Sequence, residues 1–233
     1  MSNHISLELI DASGAVREAA DDAGISRQDF FKKGALAGGG FLAGGVLFNG
    51  LISPAEAAIS TRRKSKANDV KILNYALTLE YLEAAFYRAA LGGSIITDAR
   101  VRSFAQTTGA HETAHVRALR DVLGSAAVRS PSFDFSSALQ NEKTFRDTAV
   151  ALEDTGVSAY AGQGPNIAQK AVVQAALAIH SVEARHAAWI RFLNGGGEAG
   201  ANRTALPAPA AFDPRRTETQ VLRIVTATGF IES

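Results

Sequence analysis

Residues 176–189, ALAIHSVEARHAAW, place Glu183 and His186 three positions apart within an otherwise apolar run. Three residues turn an α-helix through about 300°, so both side chains lie on one face and can reach one point. Charged and ionisable groups are rarely buried unless another group pairs with them. The same spacing recurs in Glu112 and His115. We therefore expect a fold that brings both pairs to a common partner in its interior.

The sequence after residue 66 predicts an all-α fold. Gly and Pro residues separate long segments in which apolar residues recur with helical spacing, and no segment shows the alternation typical of a strand. The expected helices run from Asn68 or Asp69 to Leu91, from Thr97–Asp98 to Gly124, over about 141–162, from near Pro165–Asn166 to the NGGG of 194–197, and near 217–227. The last of these is short and amphipathic, and it follows a Pro-rich linker.

The lengths of the connections predict how the four long helices are arranged. Short first and third connections make antiparallel hairpins, whereas the long second connection can return along the bundle and make the second and third helices parallel. The prediction is a four-helix bundle with one long crossover. We divide the chain into a leader at 1–57, the bundle at 58–200, and the linker with the C-terminal helix at 201–233.

The two predicted hairpins carry the same order of polar residues. Aligning Glu80 of the first helix with Glu153 of the third also aligns Tyr87 with Tyr160, seven residues further on in each case. Each half therefore reads Glu…Tyr, a turn, and Glu-x-x-His. Two hairpins related by a two-fold axis would bring four carboxylates and two imidazoles to one site in the core. We interpret a metal centre as the partner that keeps these groups buried.

This arrangement resembles a known family. One Glu from each of two helices, with Glu-x-x-His from each of the other two, is the di-iron or di-manganese carboxylate signature of ferritin-like proteins. The resemblance covers about residues 68–193 and implies a ferritin-like four-helix bundle. More narrowly, LNYALTLEYLEAAFYRAAL, HETAH, ALEDTGVSAYAG, SVEARHAAWIR and the C-terminal FDPRRTETQVLRIVTATGFI are similar to the exported, desiccation-related ferritin-like group.

The resemblance also implies a role for each residue of the repeat, with two Fe or two Mn ions as the cofactors. The implied ligands are two terminal carboxylates, two bridging carboxylates and one imidazole for each ion: Glu80 and Glu153, Glu112 and Glu183, and His115 and His186. Open positions would remain for dioxygen, peroxide or water. Tyr87 and Tyr160 would lie nearby as hydrogen-bond partners or electron donors, the alternative being core tyrosines with satisfied hydroxyls.

Two further assignments follow from the repeat. Glu83 aligns with Gly156 and can point into the space that the glycine leaves, as an additional ligand or a partner of one; a surface position is the alternative. Many ferritin-like sites have an acidic residue just before the Glu of Glu-x-x-His, but His111 and Val182 stand there in this chain. The sequence therefore predicts no acidic group that would orient the two histidines.

The first 57 residues have the order of an export signal. Residues 34–52 are uncharged, apolar and rich in Gly, KKG precedes them, and an Ala-x-Ala cleavage site ends at Ala57. SRQDFFKKG at 26–34 resembles a twin-arginine signal with Gln28 in place of the second Arg. We expect twin-arginine or general export machinery as a partner, and the periplasm, cell envelope or extracellular space as the location. The alternative is a membrane anchor formed by the uncleaved leader.

Composition excludes several other classes of protein. The chain has no Cys, so disulfides, thiolate nucleophiles and thiolate metal sites are excluded. Any metal must be held by carboxylate and imidazole, which are harder ligands. The formal net charge is +1, from 24 basic and 23 acidic residues without a long basic run. No nucleic-acid partner is expected, because such binding needs a concentrated positive face.

The leading functional hypothesis is an exported oxidoreductase that uses its two metal ions with dioxygen or peroxide, for ferrous oxidation or peroxide removal under stress. Its class would be a di-metal oxidase, ferroxidase or peroxidase. The alternative is a non-catalytic envelope protein related to desiccation or stress, in which a metal is structural or absent. Homo-oligomers are compatible with both hypotheses, and a storage cage would additionally need assembly into a shell.

Overall fold

Four long helices form a bundle in the computed structural model, which describes residues 58–198 and 200–232. The helices are α1 (Lys66–Gly92), α2 (Ala99–Leu123), α3 (Glu142–Gln163), α4 (Lys170–Arg191) and the short α5 (Glu218–Thr228). Within the described ranges there is no strand beyond one isolated bridge between Phe133 and Ile231. The predicted all-α fold is confirmed. The predicted leader at 1–57 lies outside the described residues.

Polar side chains fix the starts of α1, α2 and α3 by accepting from backbone N–H groups that the helix itself leaves unpaired. Ser65 accepts from the N–H of Asn68 at the start of α1, and Asp98 accepts from the N–H of Arg100 at the start of α2. At the start of α3, the side chain of Asn141 and that of Thr144 cap each other's backbone. These local signals explain why the predicted starts of α2 and α3 agree closely with the structure.

Contacts at one end of the bundle establish the direction of every helix. Near the start of α1, Asp69 accepts hydrogen bonds of 2.8 and 3.0 Å from the N–H groups of Ala168 and Gln169, just before α4 begins. Asn74 of α1 bonds the backbone of Ala126 and Val128, just after α2 ends. Helices α1 and α4 therefore start at this end, and α2 ends there. Because a short turn joins α3 to α4, α3 also ends there and runs parallel to α2, as the long crossover predicts.

The predicted start of the fourth helix near Pro165–Asn166 is wrong. Gly164–Asn166 forms a separate 3₁₀ turn, and α4 begins only at Lys170. Between them, Asp69 binds two backbone N–H groups and the side-chain amide of Gln169, whose backbone is extended with ψ 123°. A carboxylate from another helix thus holds the chain out of the helical conformation.

The C-terminal segment ties the bundle to its crossover. Helix α5 packs on α3 and buries Val221 and Val225. After α5, the backbone of the chain pairs with the crossover. The N–H of Asp134 donates to the carbonyl oxygen of Phe230 at 2.8 Å, and the N–H of Glu232 donates to the carbonyl oxygen of Ser132 at 3.0 Å. The end of the chain therefore holds the long connection against the bundle.

Aromatic side chains form a continuous layer in the core. Phe86 stacks on Phe145 with ring centroids 5.3 Å apart, and Tyr87 meets the edge of Phe104 at 5.7 Å. Phe104 in turn meets Trp189 at 5.4 Å. The layer joins all four long helices and excludes water from the interior beside the polar residues described below. In the part of the chain that the structure covers, no helix has both the length and the apolarity needed to cross a bilayer.

Candidate metal centre

Each long helix contributes a carboxylate to one cluster in the middle of the bundle. The cluster consists of Glu80 from α1, Glu112 and His115 from α2, Glu153 from α3, and Glu183 and His186 from α4. The four carboxylates are fully buried. Burying several carboxylates together is very unfavourable unless cations or hydrogen-bond donors offset their charge.

His115 lies at the centre of the first half of the cluster. Its Nδ1 is 3.1 Å from Glu80 Oε2, 3.0 Å from Glu112 Oε2 and 3.1 Å from Glu183 Oε1. One ligand atom from each of these four residues lies within 4.8 Å of the others. The half therefore offers one imidazole and three carboxylates to a single point.

His186 occupies the corresponding place in the second half. Its Nδ1 is 3.0 Å from Glu112 Oε1, 3.2 Å from Glu153 Oε2 and 3.8 Å from Glu183 Oε2. Glu112 and Glu183 thus belong to both halves, and each turns one oxygen to His115 and the other to His186. A carboxylate in this position can connect two neighbouring ions, whereas Glu80 and Glu153 each face one half only.

The donor atoms fit a metal centre better than a hydrogen-bonded network. Several buried atoms have no hydrogen-bond partner within the described chain: Glu112 Oε1, Glu153 Oε2, Glu183 Oε1 and Oε2, and His186 Nδ1. Each such atom costs about 1–3 kcal/mol if nothing satisfies it. In octahedral coordination at about 2.1 Å, two ligand atoms at right angles lie about 3 Å apart. Five of the six nitrogen–oxygen separations are 3.0–3.2 Å and match that spacing, while the sixth, from His186 Nδ1 to Glu183 Oε2, is 3.8 Å.

The electrostatics of the cluster also favour a cation. Burial raises the pKa of Glu112, and the neighbouring carboxylate of Glu183 raises it further. Burial lowers the pKa of His186, but the carboxylates of Glu112 and Glu153 outweigh this effect and raise the pKa well above its ordinary value. Protons therefore supply the positive charge that the carboxylates need. A metal ion can replace those protons, since its ligands must give them up when it binds.

Two tyrosines hold the terminal carboxylates across the bundle. The Tyr87 hydroxyl donates to Glu153 Oε1, and the Tyr160 hydroxyl donates to Glu80 Oε1 at 2.5 Å. Each tyrosine thus bonds the glutamate of the opposite hairpin. Burial, followed by the charge of the bonded glutamate, raises the pKa of both hydroxyls, so both remain protonated donors. Both hydroxyls are thus hydrogen-bonded inside the bundle, and a catalytic or electron-donor role for the two tyrosines stays a prediction.

Glu83 is buried beside the cluster, so the alternative of a surface position is wrong. A Cβ added at Gly156 would lie 3.3 Å from both Glu83 Oε1 and Glu183 Oε2, which shows that Glu83 uses the space left by the glycine. Burial raises the pKa of Glu83 well above its ordinary value, and the surrounding carboxylates raise it further. Glu83 belongs to neither four-residue group. Its role as an additional ligand stays a prediction.

The contact between His111 and His186 is the one that sequence reasoning missed. His111 Nδ1 lies 2.9 Å from His186 Nε2, the ring nitrogen that faces away from the carboxylates. The available signal was the position of His111 just before Glu112, where many ferritin-like sites have an acidic partner of a ligand. Because His111 is on α2 and His186 is on α4, only the packing of the two helices reveals the pair.

Comparison with known proteins agrees with the fold. The profile of the ferritin-like domain matches residues 68–196, a range that includes the whole cluster and the four long helices except the first two residues of α1. No curated protein matches the chain. The narrower resemblance to the desiccation-related group therefore stays a prediction. With five α-helices among the described residues, one long crossover and a buried cluster of carboxylates and histidines that can hold a metal, the chain belongs to the ferritin-like family.

Proposed function

We propose that the chain is an exported oxidoreductase with a dinuclear iron or manganese centre that reacts with dioxygen or peroxide. One observation carries this proposal: the two ligand groups share Glu112 and Glu183, and these residues turn opposite oxygens to the two halves. A single ion needs only one set of ligands, so two overlapping sets favour a site for two ions.

The charge and type of the ligands agree with two divalent ions of iron or manganese. The four carboxylates of the two groups offset the charge of two divalent cations, and the two imidazoles add neutral donors. Carboxylate with imidazole suits iron and manganese, whereas softer metals favour the thiolates that this chain lacks.

The chain's own residues would hold and shield the reacting centre. Bound redox-active ions would supply the electrons that reduce dioxygen or peroxide. Tyr87 and Tyr160 fix the terminal carboxylates, and the aromatic layer with Phe104 and Trp189 excludes bulk water. With ferrous ion as the substrate, two ferrous ions give one electron each to one hydrogen peroxide molecule, which yields two ferric ions and two hydroxide ions.

Export completes the proposal and rests on the sequence alone. The basic flank, the apolar segment at 34–52 and the small-residue site ending at Ala57 support transport by twin-arginine or general export machinery. N-terminal sequencing of the protein from its native envelope tests this part. A mature N-terminus near Ala57 supports export with cleavage, and an intact leader in the membrane fraction supports an anchor.

Metal content and ferrous oxidation test the central proposal. The native protein should contain about two iron or manganese ions per chain and should consume ferrous ion with dioxygen or peroxide. A Glu112→Ala/Glu183→Ala variant should lose both properties. Arg185→Ala is the matched control, because Arg185 lies on α4 between two cluster residues and its side chain is exposed.

The other outcomes separate the competing functions. Two bound ions without ferrous oxidation or peroxide consumption would favour the envelope protein in which the metal only stabilises the bundle. No bound metal, with the double variant as stable as the parent, would overturn the proposal and leave a ferritin-like scaffold. Sedimentation of the purified protein would show whether it forms a homo-oligomer or a shell.

A further inference from the structure

We propose that the two metal positions are unequal and that His111 is a positioning residue that makes the position at His186 the tighter one, which is filled first. This inference rests on the proposed function, since it assumes that both halves of the cluster bind metal. It concerns the order and affinity of loading, which the ligand set alone does not determine.

The first observation is the contact between the two histidines. His111 Nδ1 lies 2.9 Å from His186 Nε2, and the two rings are nearly parallel, with an interplanar angle of 20°. The opposite nitrogen of His186, Nδ1, faces Glu112 and Glu153. One nitrogen of His186 therefore faces the ligand cluster, while the other is held by a neighbouring helix.

Proton placement follows from this geometry. A histidine that ligates through Nδ1 carries its proton on Nε2. In His186 that N–H points to His111 Nδ1, which accepts it, and the proton of His111 then lies on its own Nε2. The acceptor fixes both the tautomer and the ring orientation that the ligand needs. A hydrogen bond of this kind also makes the ligating nitrogen a better donor to a metal.

His115 has no such support. By the two-fold repeat, the residue that corresponds to His111 is Val182, whose side chain has no polar atom. Nε2 of His115 has no hydrogen-bond partner among residues 58–198 and 200–232. Its side chain is 12% exposed, against 3% for His186. His115 therefore loses more freedom when it binds an ion, and its half of the cluster lies closer to solvent.

These differences predict ordered loading. Removing a hydrogen-bond partner of a ligating histidine typically costs about 10–100-fold in metal affinity. We expect the half with His186 to bind the first ion and the half with His115 to bind the second, more weakly. The weaker and more exposed position would be the one at which an ion enters or leaves.

Titration of the metal-free protein with Mn²⁺ tests the inference without any turnover. Calorimetry should resolve two binding events in the wild type. At one equivalent of Mn²⁺ per chain, electron paramagnetic resonance should show isolated Mn²⁺ rather than a mixture of empty and coupled pairs. Glu153→Gln, which removes a ligand only from the half with His186, should abolish the tighter event.

Three variants isolate the contribution of His111. His111→Ala should weaken the tighter event by about 10–100-fold and leave the weaker event unchanged. His111→Asn should restore much of the affinity, because the Asn Oδ1 can accept at the place of the histidine Nδ1. Val182→Ala is the matched control and should change neither event. His111 is partly exposed, so we expect all three proteins to fold, which thermal melting would confirm.

The outcomes distinguish this inference from the proposed function. Two events of equal affinity, or a His111→Ala variant with both events intact, would overturn the inference and leave the dinuclear centre standing. A wild-type protein that binds no Mn²⁺ and no Fe²⁺ would overturn both. If His111→Ala lost only the weaker Mn²⁺ binding event, the proposal that His111 supports the position at His186 would be contradicted.

Discussion

Tyr87 of α1 donates its hydroxyl hydrogen to Glu153 of α3, in the opposite hairpin. Tyr160 of α3 returns the same contact to Glu80 of α1. The polar centre is therefore more than a set of ligands facing one another. Each hairpin holds a carboxylate of the other, so the two halves of the bundle depend on one another for the geometry of the cluster.

Replacing Tyr87 with Phe should lower the free energy of unfolding by about 1–3 kcal/mol, because Glu153 then loses its buried donor. Urea denaturation of the metal-free protein measures this loss. Tyr75→Phe is the matched control: its hydroxyl is buried, yet no group in the described chain bonds it, so its removal should cost little. Equal effects of the two substitutions would contradict the proposed role of the cross-bundle bond.

Substituting the four carboxylates one at a time should give two classes of metal stoichiometry. Glu80→Gln and Glu153→Gln each affect one half of the cluster, so each variant should keep about one of two ions. Glu112→Gln and Glu183→Gln affect both halves and should weaken both positions. Elemental analysis after gel filtration measures the content.

An exposed carboxyl is the control for the stoichiometry series. Glu198→Gln lies outside the cluster and should retain both ions. If Glu112→Gln lost only one ion, Glu112 would not connect the two positions. If all four cluster variants lost both ions, binding would require the complete cluster and the division into halves would be wrong.

Gly162→Ala should detach the C-terminal segment from α3. A Cβ at this position would lie 1.8 Å from the carbonyl oxygen of Arg216, whose N–H donates to Ser158. Backbone has to move, so we expect a loss of more than about 2 kcal/mol in unfolding free energy. Gly164→Ala is the control, because nothing lies within 4 Å of its added Cβ. Hydrogen exchange at the amides of Asp134 and Glu232 would show whether the tail has been released.

The ionised Glu142 side chain should make the free energy of unfolding fall at low pH. Burial raises its pKa, but hydrogen bonds from the N–H groups of Asp98 and Thr97 outweigh burial and lower the pKa from 4.5 to about 2. Since the folded pKa is the lower one, the stabilisation is complete above about pH 4.5 and is lost as the pH falls towards 2. Glu142 joins the α1–α2 turn to the start of α3, so the loss should loosen that end of the bundle.

Glu142→Gln provides the measurement. After allowance for solvent screening, we expect a loss of about 1 kcal/mol at neutral pH. The difference from the wild type should disappear as the pH falls from about 4.5 to 2. A difference that stayed constant over this range would show that the ionised carboxylate contributes nothing specific.

Much of the fold and the cluster could be predicted because the determining signals repeat within the chain. The spacing of Glu80 to Tyr87 and of Glu112 to His115 recurs in the second half, so the clustering of the six side chains follows from helix geometry and the connection lengths. The start of α4 could not be predicted, since Asp69 reaches it from another helix. The contact between His111 and His186 escaped for the same reason, because it depends on how two helices pack.

The pairing of residues 230–232 with 132–134 has a consequence for the order in which the protein matures. A chain emerges from the ribosome from its N-terminus, and its domains fold in that order. Both hairpins can therefore form while the crossover still lacks its last partner. Residues 230–232 supply that partner only after both hairpins have emerged, so fastening of the crossover follows synthesis of the two halves of the bundle. A chain that stopped before residue 230 would keep all the groups of the metal centre. It would lack the backbone hydrogen bonds that hold the crossover, which joins the two hairpins, against the bundle.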